Sequence, residues 1–196
     1  MDFDAFTAGV EPGGLRNTKD IGILICYMLD YIKQPFRHDD LVDIIQENGI
    51  ANYFEVTSTL SELINLGNVV YTDENENMIE ITKNGKLVSR QLSSELSVYI
   101  RNKAVSAVLK LMEQRRIERE NPVTIEKVEG GGYNVTIGIT DGMRDLMSLT
   151  LFVPSRNEAN MVKKRFHQCP EKIYSLVLAS AIGEKDLLSE ALKEIF

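Results

Sequence analysis

The chain has 196 residues, of which 43% are hydrophobic and 26% are charged, with 13 glycines and 5 prolines. This composition excludes collagen-like, low-complexity and wholly disordered proteins, and the length allows one large domain or two small ones. With 22 Lys and Arg against 29 Asp and Glu, the net charge is −7. Such a charge argues against a protein that coats nucleic acid non-specifically.

The expected compartment follows from the apolar runs and the cysteines. The longest nearly apolar run, Ile21 to Leu29, is far shorter than the roughly 20 residues that a membrane-spanning helix needs. The first residues are acidic, where a secretory signal carries positive charge. Two cysteines, Cys26 and Cys169, are too few for a disulfide framework or a four-thiolate zinc site. We therefore expect a cytoplasmic protein with reduced thiols and no membrane partner.

The first half of the chain predicts an arm followed by three helices. Residues 1–14 show no sustained periodicity and are predicted to form a flexible arm. Three amphipathic segments then begin after Asn17, at about Asp39 and after Asn52, each with a polar cap or an acidic first turn. The predicted inward face of the third helix consists of Val56, Leu60, Leu63 and Ile64.

After the third helix the apolar period changes from helical to alternating. This change predicts two short strands, 68–72 and 78–82, around a polar turn at 73–77. Thr82 is expected to cap a further helix, which either breaks at Ser93-Ser94 or continues unbroken to about residue 120. Three helices, a hairpin and a helix in this order are typical of a winged helix-turn-helix.

Asn121-Pro122 marks the start of a second predicted domain. Alternating segments separated by turns at 130–132 and 141–142 predict a three-stranded antiparallel meander. Pro154 and Pro170 each precede or open a helix. The predicted inward faces of these two helices are Ala159, Val162 and Phe166, and Ile173, Val177, Leu178 and Ala181.

The predicted fold class is therefore α+β, in four parts. They are a flexible arm (1–14), a winged-helix domain (15–92), a connecting and dimerisation helix (93–121), and a C-terminal α+β domain (122–196) with a three-stranded sheet and two or three helices.

A specific resemblance lies in the segment Ile79-Glu-Ile-Thr-Lys-Asn-Gly-Lys-Leu-Val88. It resembles the sequence of strand, Thr, two residues, Gly and helix that closes the wing in PadR-like and MarR-like bacterial transcriptional regulators. Over about residues 15–183 the chain is also similar to a bacterial family known only as a domain of unknown function. That family joins such a winged helix to a small C-terminal α+β domain, and the resemblance implies DNA binding by analogy of fold.

In a winged helix the third helix enters the major groove of DNA. The polar residues predicted to bond to phosphates or base edges are Tyr53, Ser58, Thr59, Ser61 and Asn65. Glu55 and Glu62 would repel the DNA backbone, and the wing tip holds Asp73, Glu74 and Glu76. Residues 15–92 contain 7 basic and 12 acidic residues, a balance of −5. The alternative interpretation of this polar helix face is an ordinary solvated surface.

The helix after Ser94 carries two apolar stripes. One consists of Leu96, Ile100, Ala104, Ala107 and Leu111, and the other of Val98, Val105, Leu109 and Met112. A helix that is apolar on two sides packs on its own domain and on a second surface. The second stripe is therefore a predicted homodimer interface, unless the C-terminal domain of the same chain covers it.

Two functional hypotheses remain open. The first is a non-enzymatic, dimeric transcriptional regulator that binds double-stranded DNA with weak to moderate affinity. The alternative is a protein-interaction module whose acidic winged-helix surface meets a basic partner. Either is compatible with a small effector bound at the C-terminal domain. No cofactor or catalytic group is predicted, and His167 and Cys169 are two residues apart, a helical spacing that does not converge on one metal.

Overall fold

The structure is a computed structural model that describes residues 10–73, 77–183 and 185–195. The chain divides into two units, Met1–Met112 and Glu113–Phe196. The predicted arm lies partly outside the described residues, at 1–9. Within the described part, the backbone N–H of Glu11 donates to the carbonyl of Gly49 (2.9 Å), and that of Leu15 donates to Ile50 (2.7 Å).

The first unit contains the three predicted helices and the predicted hairpin, with one additional strand. Its elements are α1 (Thr18–Ile32), β1 (Phe36–Arg37), α2 (His38–Glu47), α3 (Tyr53–Asn65), β2 (Val69–Asp73), β3 (Met78–Ile81), α4 (Lys83–Leu92) and the start of α5 (Val98–Glu120). The strand β1 has only two residues and was not predicted. It pairs antiparallel with β3, Phe36 opposite Ile79, so the sheet has the order β1-β3-β2.

Local capping sets the helix starts where the sequence predicted them. The side chain of Asn17 accepts a hydrogen bond from the N–H of Asp20, and that of Asn52 accepts one from Phe54. The break after α4 is present, because a short 3₁₀ turn, Ser93–Glu95, separates α4 from α5. Of the predicted inward face of α3, Val56, Leu60 and Leu63 are buried, whereas Ile64 is partly buried against the same core.

The hairpin of β2 and β3 is attached to the start of α2 by side chains. Asn77 donates to a carboxylate oxygen of Asp39 (3.0 Å), and Nδ1 of His38 lies 3.0 Å from the same oxygen. The hydrogen bond with His38 holds the pKa of Asp39 below its usual range. The predicted acidic turn falls mostly outside the described residues, because Glu74 and Glu76 lie in the gap at 74–76.

The junction between β3 and α4 explains why Thr and Gly are spaced three apart. The hydroxyl of Thr82 donates to the carbonyls of Gly67 (2.7 Å) and Asn68 (3.1 Å), and it accepts from the N–H of Gly85 (3.3 Å). A Cβ at position 85 would lie 2.3 Å from the carbonyl oxygen of Asn68. Glycine therefore allows α4 to approach the loop before β2.

The second unit follows the predicted order of strands and helices. Its elements are the end of α5, β4 (Val123–Lys127), β5 (Tyr133–Thr140), β6 (Asp145–Val153), α6 (Arg156–Gln168), α7 (Pro170–Ile182) and α8 (Lys185–Ile195). The strands form the predicted antiparallel meander in the order β4-β5-β6. Ser155 and Glu158 form a reciprocal capping box at the start of α6. Its predicted inward residues Ala159 and Phe166 are buried in a core that includes Val135 and Ile137.

The predicted inward face of α7 is wrong in part. Ala179 is the buried residue of this helix, whereas Leu178 and Ala181 are exposed. The reason is that α7 is apolar on several sides and contacts both α6 and α8. Periodicity alone does not select one face of such a helix.

The junction at Gly85 makes a prediction about stability. Gly85→Ala places a methyl group against the carbonyl of Asn68, and we expect the free energy of unfolding to fall by about 1–3 kcal/mol. This fall is a net change, in which the steric cost outweighs the roughly 1 kcal/mol that alanine gains in helix propensity. The exposed neighbour Asn84→Ala is the control and should change stability by less than about 0.5 kcal/mol. Equal urea midpoints for the two variants would contradict the close approach.

Candidate functional site

The residues predicted to meet a partner lie on α3. Ser58, Ser61 and Asn65 are exposed and lie three and four residues apart, so they share one face of the helix. Tyr53, at the start of α3, is 44% exposed. The hydroxyl of Ser61 donates to the backbone carbonyl of Thr57 (2.9 Å), which leaves its oxygen lone pairs as acceptors. The structure thus brings four of the five predicted residues to the surface of one helix.

The placement of Thr59 on that exposed face is wrong. Thr59 is 3% exposed, and its hydroxyl oxygen has no hydrogen-bond partner within the described part of the chain. Its methyl group faces Gly22 of α1, where a Cβ would lie 3.4 Å away. The spacing contained this signal, because Thr59 lies three residues after Val56 and four before Leu63, on the buried face.

Phe54 is a surface residue that was not predicted as part of the site. It is 73% exposed, and its ring meets that of Tyr53 edge to face, with centroids 5.6 Å apart. Because Phe54 lies four residues before Ser58, it extends the exposed face of α3 to the start of the helix. An exposed aromatic pair at this point is typical of a contact surface.

The electrostatics of this face are acidic. The sequence of α3 contains no Lys or Arg, and Glu62 is exposed. Glu55 differs, because it is half-buried and one of its carboxylate oxygens is inaccessible and lacks a hydrogen-bond partner among the described residues. Glu62 is therefore the main source of repulsion toward a phosphate backbone on α3.

Helix α4, unlike α3, carries three cations and no acidic residue. Lys83 and Arg90 are exposed and Lys86 is half-buried, at spacings of three and four residues that place them along one side of the helix. The exposed Leu87 adjoins them. These side chains form a short basic stripe on an otherwise acidic domain.

An apolar cleft of about 310 Å³ lies between α1, α3 and α4. It is lined by Thr18, Lys19, Gly22, Ile23, Thr59, Glu62, Leu63, Leu66, Val88 and Leu92. Lys19 is engaged there, because its ammonium group lies 2.7 Å from a carboxylate oxygen of Glu95. Leu66, which is 62% exposed, adds an apolar edge to this cleft.

The second predicted surface, on α5, is smaller than the sequence indicated. Val98 and Leu109 are 61% and 48% exposed, and Val105 is half-buried. Met112 does not belong to this free surface, because it packs against the core of the first unit in line with Val108, four residues earlier. Tyr99, which is 58% exposed, adjoins Val98 and was not predicted.

The first apolar stripe of α5 packs as expected. Ile100, Ala104 and Ala107 are buried in the core of the first unit, as is Leu96, which lies just before α5, and Leu111 is partly buried against this core. One side of α5 is therefore fully used within its own unit.

A second cleft, of about 370 Å³, lies within the second unit at the start of α7. Polar side chains including Arg116, His167 and Lys172 line it. Arg116 pairs with Glu113 and Glu120, each at 2.7 Å, and Nε2 of His167 lies 2.9 Å from the carbonyl oxygen of Asn121.

The reactive side chains are held in structural contacts. The thiol of Cys169 donates to the carbonyl of Arg165 (3.3 Å), and burial raises the pKa of the Cys26 thiol to about 12. Both cysteines are unpaired. Among residues 10–73, 77–183 and 185–195, no group of three or more His, Cys, Asp or Glu side chains is arranged to hold a metal ion.

The chain as a whole is an α+β protein with two three-stranded antiparallel sheets. The family model described as Domain of unknown function (DUF4364) matches residues 21–180, and the chain belongs to this family. No curated protein and no solved structure matches the chain. In the part of the chain that the structure describes, no helix has the length and apolar character needed to cross a membrane.

The unpartnered hydroxyl of Thr59 makes a prediction about α3. Thr59→Val keeps the shape and removes a buried polar group, so we expect stability to rise by about 1 kcal/mol. The matched control is Thr57→Val, because the Thr57 hydroxyl donates to the carbonyl of Tyr53 (3.0 Å) and its loss should not stabilise the helix. Urea denaturation measures both. If Thr59→Val proved less stable than the natural chain, the hydroxyl would have a partner in solution.

Proposed function

We propose that the protein is a winged-helix, DNA-binding protein of the transcriptional-regulator type. The observation that carries the proposal is the connectivity of the first unit: α1, the short strand β1, α2, α3, and then β2 and β3 in a sheet of order β1-β3-β2. This order suits a helix-turn-helix formed by α2 and α3, with β2 and β3 as the wing. The strand β1 pairs with β3 and completes the three-stranded sheet that the wing belongs to in this proposal.

The exposed face of α3 supplies the chemistry for reading DNA in this proposal. Ser58, Ser61 and Asn65 have short side chains that donate and accept hydrogen bonds, which suits contacts with base edges and phosphates. Asn52 caps the start of α3 and fixes the direction in which that face is presented.

The expected affinity is weak and sensitive to salt. Since α3 contains no cation and carries the exposed Glu62, phosphate contacts would come from a few residues elsewhere in the first unit. If a dimer neutralises about four phosphates, log K falls against log salt with a slope of roughly −4.

A titration against a randomised pool of short duplexes at low salt tests DNA binding. Glu62→Gln removes the repulsion and should strengthen non-specific binding about two- to fivefold, as expected for one surface charge. Ser58→Ala with Asn65→Ala should reduce the enrichment of particular sequences. The control is Glu126→Gln on β4, an exposed site in the second unit that loses the same charge and should leave affinity unchanged.

Binding by neither the natural chain nor Glu62→Gln would contradict the regulator proposal. The acidic interaction module would then be favoured, and a specific observation supports it. Phe54, with Tyr53 beside it, is exposed on a domain whose charge balance is −5. An apolar anchor with acidic surroundings suits a basic protein partner.

We also propose that the protein forms a homodimer through α5. Val98, Tyr99 and Leu109 provide an apolar surface on the side of the helix away from its own core. A two-fold axis would bring the same surface of a second copy against it.

Light scattering at micromolar concentration should give about twice the 22.1 kDa of one chain. Leu109→Glu buries a charge in the proposed interface and should weaken the dimer at least tenfold, with helical content unchanged. Gln114→Glu adds the same charge at an exposed position on another side of α5 and should have little effect. A monomeric natural chain would refute the interface.

A further inference from the structure

Among the described strands, β6 is the edge strand with the least protection against pairing. In the first sheet, β1 has two residues, and β2 has a register shift between Tyr71 and Asp73. In the second sheet, β4 has five residues and carries Glu126 and Lys127. Strand β6 has nine residues and no charged side chain after Asp145. Short, irregular or charged edges discourage pairing, and a long uncharged edge permits it.

The unpaired backbone groups of β6 can be identified from the neighbouring ladder. The N–H of Gly138 donates to the carbonyl of Pro122 (2.9 Å), so even-numbered residues of β5 bond to β4. The odd-numbered residues of β5 then bond to β6, where Val135 lies opposite Leu151 and Ile137 opposite Leu149. The backbone groups of the even-numbered residues of β6 therefore point to the open edge.

The regular part of β6 is symmetric about one residue. A register shift between Ile139 and Thr140 interrupts the ladder at the start of β6, so regular pairing covers Met147 to Val153. The residues of this run with outward backbone groups are Ser148, Thr150 and Phe152, and all three are exposed. Thr150 lies at the centre of the regular run 147–153 and at the centre of its three outward residues.

We propose that β6 pairs antiparallel with β6 of a second copy of this chain, about a two-fold axis at Thr150. The two three-stranded sheets would then form one sheet of six strands. In this register Thr150 lies opposite itself, and Ser148 lies opposite Phe152 of the second copy. Each outward N–H meets an outward carbonyl, because residues at equal distances from the axis have the same backbone orientation.

The side chains of this register favour a second copy over an unrelated strand. On the face toward α6, Met147 meets Val153 and Leu149 meets Leu151, so apolar side chains meet apolar ones. Leu151, which is 39% exposed in the single chain, gains a neighbour. On the other face Thr150 meets Thr150. Its hydroxyl already bonds to that of Thr136 on β5 (2.9 Å), and because a hydroxyl both donates and accepts, the pair extends this row of threonines across the new sheet. No like charges lie opposite each other.

This interface lies in the second unit and uses none of the residues proposed for DNA binding or for the α5 surface. The β6 proposal can therefore be tested independently of the other two. A dimeric mass does not distinguish it from the α5 surface, which would give the same mass, and the two interfaces together would give an assembly larger than a dimer. The test needs a signal from β6 itself.

A single cysteine at the axis gives that signal. Opposite residues of a hydrogen-bonded pair have Cα atoms about 5.5 Å apart, a separation that suits a disulfide. In the full chain with Cys169→Ser, mild oxidation of Thr150→Cys should convert most chains to a covalent dimer on a non-reducing gel. Cys26 is buried and can remain.

Two controls define the register and the edge. Ser148→Cys would lie four residues from its own copy, about 13 Å along the strand, and should not cross-link. Thr124→Cys lies in the same row of the sheet, on the opposite edge strand, and should not cross-link either. Absence of the Thr150 disulfide, or equal cross-linking of Ser148→Cys or Thr124→Cys, would overturn the proposal.

Amide hydrogen exchange tests the natural chain without a cysteine. At concentrations where the dimer forms, the amides of Ser148, Thr150 and Phe152 should be protected along with those of Leu149 and Leu151. Thr150→Lys places like charges opposite each other. It should speed amide exchange at least tenfold at positions 148, 150 and 152, but not at Leu149 and Leu151. Thr124→Lys should leave exchange at all five positions unchanged. Protection of Leu149 and Leu151 shows that the variant is folded. Rapid exchange of the first three in the natural dimer would overturn the pairing.

Discussion

The burial of α1 is the constraint on which the first unit depends. Ile21, Leu24, Ile25 and Met28 are all fully buried, and the helix contacts α3, α4 and β3. A helix that is apolar on almost every side has no stable solvent-facing orientation, so other elements must cover it. The close approach of Thr59 at Gly22 and the junction at Gly85 are two places where small groups allow that cover to form.

This packing also determines which side chains of α3 remain available to a partner. Val56, Thr59, Leu60 and Leu63 are committed to the core, and the polar face with Phe54 is what remains. The proposed function therefore concerns a face with hydrogen-bonding groups and an aromatic anchor but no positive charge. Because electrostatic attraction supplies much of the affinity for DNA, such a face would read DNA only with help from cations elsewhere.

The second unit presents a different kind of surface. Its sheet has a hydrophobic core on the side of α6 and an uncharged edge at β6. The N–H and carbonyl groups at a sheet edge can form the same hydrogen bonds as those within the sheet. Whether they pair with another strand depends on what protects the edge. The contrast with the charged β4 supports an interface between copies at β6, separate from any contact made by the first unit.

Local rules determined most of the secondary structure from the sequence. The caps at Asn17, Asn52 and Thr82 and the alternating pattern of the meander depend on neighbouring residues, and they predicted the helix starts and strands correctly. For the candidate site, the sequence correctly predicted that Tyr53, Ser58, Ser61 and Asn65 are exposed. Their helical spacing places them away from the apolar stripe of α3.

The tertiary structure alone decided the features that depend on a distant partner. A two-residue strand such as β1 has no period to detect and exists because β3 lies beside it. Whether Thr59 and Met112 are buried depends on Gly22 and on the core of the first unit, and the buried face of α7 depends on α6 and α8. Periodicity shows that a helix has an apolar side, but only packing decides which residues at the margin of that side lose contact with water.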